Sequence, residues 1–289
     1  MLPRNVTDRR PSVESKGAQM TGSSATPGQE YVSKVNADVP HGARVWNYWL
    51  GGKDNFAADR AVGDQVREIY PEIVEIARES RAFLVRAVKY LAGEAGIRQF
   101  LDIGTGLPTA NNTHEVAQQV APTSRIVYVD NDPLVLVHAR ALLTSTPEGV
   151  TDYIDANVRD PDKILQDAAR TLDFAQPVAL MMLGILGNVL DTDEAHSIVN
   201  RLVAAVPSGS YLVINDGTDT NERGVEGARI RSDAGDPYCL RSPDLIAHFF
   251  DGLELLEPGV VSTPQWRPEP SPSGPPADLG VFCGVARKP

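Results

Sequence analysis

The feature that most constrains this chain is an unbroken alternation of strand and helix patterns between residues 99 and 215. Short apolar stretches at 99–103, 125–130, 151–155, 177–183 and 211–215 predict five strands. Between them, 113–120, 133–143, 161–172 and 193–205 carry helical spacing, with Pro133 at a first helical position. Strands alternating with helices build a parallel sheet covered on both faces, and right-handed crossovers give it a doubly wound order. A further helix is expected at 242–250, then strands at 253–257 and 281–286 with no helix between them. Those two strands must form a hairpin, which turns the last strand antiparallel. The proline-rich stretch 263–276 is the loop of that hairpin. The expected fold is α/β and Rossmann-like, a seven-stranded mostly parallel sheet with an antiparallel last strand and helices on both faces.

Upstream, 62–95 reads as helix, because Phe83, Leu84, Ala87, Val88 and Leu91 make one apolar stripe, with Gly93 and Gly96 as a stop. Residues 1–38 are rich in Ser, Gly, Pro, Thr and charge and lack the apolar centre of a secretory signal. They are expected to be a disordered leader, with 39–97 a helical lid or cap and 98–289 the core.

Charge and residue usage exclude several classes. The formal net charge is -11 with no basic cluster, which repels a phosphate backbone, so no nucleic-acid partner is expected. No apolar run approaches the ~20 residues of a membrane span. Cys239 and Cys283 show no pairing pattern, which suits a reducing, cytoplasmic setting. The five histidines lack metal-ligand spacing, and no metal is expected. No Gly-x-Ser-x-Gly elbow is present, which disfavours a hydrolase. Lys53 follows Gly52 but precedes Asp54, so a phosphate loop fails as well. The expected partner is a small molecule, with the chain a monomer or homodimer.

The residues that carry chemistry stand at strand ends. Gly104 and Gly106, in Asp102-Ile103-Gly104-Thr105-Gly106, let the backbone turn and approach a ligand where open α/β sheets bind one. Asp130 closes the second strand and can accept both hydroxyl hydrogens of a ribose. Asp155 closes the third and can accept from an adenine amino group. A dinucleotide fits less well, because Thr109 replaces the third glycine and Pro108 delays the helix. Asp102 suits a ligand bearing an ammonium group and no phosphate, as S-adenosylmethionine does.

This set resembles class I methyltransferases. More closely, the chain resembles an actinobacterial family of S-adenosylmethionine-dependent methyltransferases long catalogued as a domain of unknown function. The matching stretches are Ala43 to Phe56, with its specific Leu-Gly-Gly-Lys-Asp-Asn-Phe ending, Leu101 to Thr109, His114 to Gln118, Tyr128 to Pro133, Pro207 to Val213, Phe249 to Glu254 and Trp266 to Pro268. The resemblance implies a class I methyltransferase fold with S-adenosylmethionine as cofactor. Expected cofactor contacts are Asp102, Gly104, Thr105, Gly106, Asp130 and Asn131, joined by Asp155, Ala156, Leu183 and Gly52. Asp216, Asn188 and Tyr48 are expected at the reacting acceptor, and Trp46, Trp49, Gly187, Asn215 and Asp191 around it.

Trp46, Tyr48, Trp49 and Phe56 read either as a lid over the site or as an amphipathic helix packed on the domain. His114 reads as a histidine of the helix's capping turn. Two departures from the family stand at strand ends, Leu186-Gly187-Asn188-Val189 where relatives often carry Leu-His-Phe/Tyr, and Asn215-Asp216 where they often carry Ser-His. Small residues there would widen the acceptor pocket, pointing to an aromatic natural product of secondary metabolism, such as an indole or a cyclic dipeptide. The alternative expectation is a non-catalytic, cofactor-binding regulatory module.

Overall fold

A computed structural model describes residues 35–142, 144–270 and 276–289. The expected leader lies almost entirely outside the described residues, as do residues 271–275 of the expected loop. Strands β1 (Gln99–Ile103), β2 (Arg125–Asp130), β3 (Val150–Asp155), β4 (Ala179–Leu183) and β5 (Tyr211–Gly217) pair in parallel in the order β3-β2-β1-β4-β5. Strand β8 (Val281–Arg287) runs antiparallel to β5 from Tyr211–Arg287 to Gly217–Val281. Two short strands, β6 (Glu254–Leu255) and β7 (Val261–Ser262), run antiparallel to β8 along its other edge. The expected hairpin therefore holds, with one strand more than the sequence pattern suggested. A two-residue strand such as β7 is too short to show alternation.

All five residues of β1 are buried, as a strand covered on both faces requires. Leu101 and Ile103 join a core with α6 (Pro161–Ala168), α7 (Thr192–Ala204) and α9 (Pro243–His248). Phe100 points the other way, into a core with α3 (Ile73–Gly93) and α4 (Thr113–Val120). Helix α5 (Pro133–Leu142) packs beside β3. Each such large apolar side chain contributes about 1.5–3 kcal/mol on full burial. Helix α3 thus belongs to the sheet's own core, and the rest of the cap, α1 (Gly42–Trp49) and α2 (Ala57–Ile69), packs onto it through Val45, Trp49, Val62, Val66 and Ala77.

Two expectations are corrected here. The helix expected over 62–95 is two helices, broken at Tyr70-Pro71-Glu72. Proline has no amide hydrogen and pushes the residue before it out of the helical region, and Tyr70 has φ -132° and ψ 71°. A helix not foreseen, α8 (Glu222–Asp233), follows β5. Gly224 and Gly227 hid it, since glycine disfavours helix interiors. Asn221 caps it by accepting from the amides of Arg223 and Gly224 at 2.9 and 3.3 Å, and it packs against α2, where Gly227 comes close to Val66. Among the described residues, no helix is long and apolar enough to cross a membrane.

Candidate active site

The carboxyl ends of β1, β2, β4 and β5 open into a cleft of about 290 Å³, roofed by α1, α2, α3 and α8. That is near the lower end of the ~300–1,000 Å³ usual for small-molecule sites. Beyond β1 the chain turns sharply, and Gly104 and Thr105 donate their amides to the Val129 carbonyl at 2.8 and 3.2 Å. Gly104 (φ +76°) and Gly106 (φ +68°) sit in the left-handed region, where a side chain would be strained. A Cβ on Gly104 would meet Ile185 at 2.6 Å, whereas one on Gly106 would meet nothing within 4 Å. Asp130 ties the two loops together. Its Oδ2 accepts from the Gly106 amide and its Oδ1 from the Asp132 amide, both at 2.9 Å. Each oxygen keeps a second lone pair, and burial raises the carboxyl's pKa.

Asp102 lies deeper. Its Oδ2 accepts from the Thr113 hydroxyl at 2.6 Å, and burial pushes its pKa up to about 6, with the Arg81 guanidinium and the Thr113 bond opposing. Ser80 and Arg81, on α3, also line the cleft. His114 does not. It is buried, its amide donating to the Tyr128 hydroxyl at 2.8 Å, in keeping with a structural histidine.

At the other end, the walls are Trp46, Trp49, Val66, Tyr70, Ile73 and Ile76. Trp46 and Trp49 meet edge to face at 5.8 Å, and Trp49 Nε1 donates to the Gly63 carbonyl at 3.0 Å. Helix α1 packs on the domain, and of the four aromatics Trp46 and Trp49 also line the cleft whereas Tyr48 and Phe56 do not. Asn215 and Asp216, at the end of β5, also line the cleft. Asn215 is 2% exposed, and its Oδ1 has no partner among the described residues. Asp216 Oδ2 accepts from the Gly187 amide at 2.9 Å, and its Oδ1 accepts from the Gly217 amide at 2.9 Å and from the Tyr238 hydroxyl. Burial raises the pKa of Asp216. Arg231 lies 4.7 Å over the Tyr238 ring and is neutralised by Asp236 at 2.7 Å.

The model of the S-adenosyl methyltransferase family matches residues 28–289. The chain belongs to that family. A DUF574 family protein from Streptomyces avermitilis shares 45% identity, with 88% of this chain and 99% of that chain covered and a TM-score of 0.84. A Thermobifida fusca protein is also 45% identical, with 87% and 96% covered and a TM-score of 0.80. Among curated proteins none matches. The sheet is the class I methyltransferase sheet that the resemblance implied, and the cofactor of the methyltransferase is S-adenosylmethionine.

Of the residues expected to contact cofactor, Asp102, Gly104, Thr105, Gly106, Asp130 and Asn131 line the methyltransferase's cleft, as do Ala156 and Leu183. Asp155 is exposed at the end of β3, beside Asp130 in register, and is not part of the lining. Gly52 is not part of it either. A Cβ there would strike Asn47 at 2.3 Å, so Gly52 makes room for Asn47, which does line the cleft.

On the acceptor side, Trp46, Trp49, Asn188, Asn215 and Asp216 line the cleft, and three expectations are corrected. Tyr48 leaves the opposite side of α1 and donates to Asp64 at 2.7 Å, because neighbours on a helix point ~100° apart. Asp191 caps α7, accepting from the Glu194 amide at 2.9 Å. Gly187 does not widen the pocket, since a Cβ there would stand 2.2 Å from the Tyr238 ring, which fills that space. Asn188 turns its amide back to the Ile185 carbonyl at 3.3 Å. Sequence reasoning missed Ser80, Arg81, Tyr70, Arg231 and Tyr238. Only Arg81, a charge near the apolar stripe of α3, left a local signal.

Proposed function

We propose that the glycine-loop end of the cleft holds S-adenosylmethionine and that the tryptophan end holds a small, largely apolar, aromatic acceptor. One observation carries this reading. A single cleft joins a buried ribose-type acceptor, Asp130 beside an unobstructed Gly106, to an apolar compartment closed by Asn215 and Asp216. The residues fit the cofactor. Asp130 has a free lone pair on each oxygen for the ribose hydroxyls, Asp102 offers a carboxylate for the ammonium group, and Ala156 and Asn157, which line the cleft, suit the adenine edge.

When bound, the cofactor supplies a methyl group on a sulfonium, a good leaving group. The protein's part is alignment, which can lower a barrier by ~7–11 kcal/mol. The cap helices exclude water. Asp216 is placed to take an acceptor proton at Oδ2, the oxygen with spare capacity, and its raised pKa suits that task. Flat rings suit Trp46, Trp49 and Tyr70, since aromatic pairs gain ~0.5–1.5 kcal/mol beyond area burial.

The expectation of a pocket enlarged for an indole or a cyclic dipeptide rested on Gly187, Asn188 and Asn215. With Tyr238 in that space, a single-ring or indole-sized acceptor fits better. The alternative of a non-catalytic module rested on the altered Gly187-Asn188 and Asn215-Asp216 ends, and Asp216, buried in the lining of the cleft, supports the catalytic reading over it. The test is incubation of a metabolite extract with methyl-labelled cofactor, followed by mass spectrometry. Label in a small aromatic product is the expected result, and label mainly in nucleic acid or protein would defeat the reading. Asp130→Ala should weaken S-adenosylhomocysteine binding by about 1.5–3 kcal/mol in calorimetry.

A further inference from the structure

On the α3 side of the cleft two neighbouring residues each carry a polar atom without a partner among the described residues. Ser80 Oγ and Arg81 Nε are both buried, have no hydrogen-bond partner among the described residues, and belong to residues that line the cleft. A buried guanidinium N–H left unpaired is costly, more so than a neutral donor. The rest of Arg81 is engaged, with Nη2 donating to the Ala110 and Asn111 carbonyls at 3.2 and 3.0 Å. Those bonds hold the guanidinium in place and tie α3 to the loop that follows the glycines. Asp102 is near enough to act on Arg81 electrostatically, yet leaves Nε unpaired. The cleft therefore carries a fixed cation and a fixed carboxylate side by side at its glycine-loop end, together with an unused serine hydroxyl. That is the complement of a zwitterion, an α-amino acid with its ammonium toward Asp102 and its carboxylate toward Arg81.

We propose that Arg81, assisted by Ser80, is the anchor for the carboxylate of the cofactor's amino-acid end. This rests on the reading of the cleft as the cofactor site. Arg81 is a positioning residue in this role. It holds the end of the cofactor remote from the methyl group and thereby fixes where the sulfonium stands.

The test separates the amino-acid end from the nucleoside end with two ligands. S-adenosylhomocysteine carries both, whereas 5′-methylthioadenosine lacks the amino acid. In calorimetry, Arg81→Met should weaken S-adenosylhomocysteine about 10–100-fold, the range expected for a charge-assisted bond, and leave 5′-methylthioadenosine unchanged. Arg81→Lys keeps the charge without the planar fork and should give an intermediate, equally selective loss. If Arg81→Met does not fold, Ser80→Ala carries the same comparison, with a smaller selective loss expected. Parallel losses for both ligands would make Arg81 only a strap for residues 110–111 and overturn the proposal. A wild-type protein that binds neither ligand would overturn the cofactor reading itself, and this proposal with it.

Discussion

At the end of β1, Gly106 turns with φ +68° and no atom lies within 4 Å of where its Cβ would be; at the end of β4, Gly187 would place a Cβ 2.2 Å from the Tyr238 ring. The same contrast holds for the carboxylates. Asp130 spends one lone pair of each oxygen on backbone amides and keeps the others, while Asp216 is bonded by two amides and the Tyr238 hydroxyl. At one end of the cleft the space beside the Gly106 turn is open among the described residues. At the other, the chain supplies much of its own filling from a segment more than 40 residues beyond β4. A glycine after a strand therefore does not by itself tell a left-handed turn beside open space from a notch that the protein fills.

The comparison can be broken most forcefully at Asp102. Burial raises its pKa from the ordinary 3.8 to about 6, so the folded protein binds this proton more tightly than the unfolded chain does. The resulting stabilisation is complete below about pH 4 and is lost as pH rises through about 6, amounting to roughly 3 kcal/mol for the ligand-free protein. Thermal melts from pH 4 to 7 should show wild type losing stability relative to Asp102→Asn. A difference that stays flat with pH would mean that this end is more open to water than the geometry implies.

The glycines give the next effect. Gly187→Ala should cost about 1–3 kcal/mol, because the methyl must displace a packed ring. Gly106→Ala should cost less, about 1–2 kcal/mol, since it meets only backbone strain. Chemical denaturation of the two variants reads the order directly, and equal costs would erase the distinction between open and filled ends. The smallest effect is expected for Tyr238→Phe. It removes one hydrogen bond to Asp216, about 1 kcal/mol, and leaves the ring in place. Its melting point should fall slightly with S-adenosylhomocysteine affinity unchanged. A drop in that affinity would show that the two ends are coupled.

What the sequence determined alone is the part made of contiguous segments. The five parallel strands, the positions of Gly104, Gly106 and Asp130, and the antiparallel last strand are all local patterns, since strand and helix periodicities and the turn requirements of glycine act over a few residues. Even the break at Pro71 was written locally, although the apolar stripe of α3 obscured it. Tertiary structure alone decided what fills the space those segments leave. Tyr238 enters the notch at Gly187, α8 forms on a cap and on packing against α2 despite its glycines, Tyr48 turns out to Asp64, and Arg81 comes to rest near Asp102. These outcomes depend on contacts between residues far apart in the chain. Such contacts leave no periodic trace in the sequence, because packing constrains the volume and charge of the partners and not their spacing.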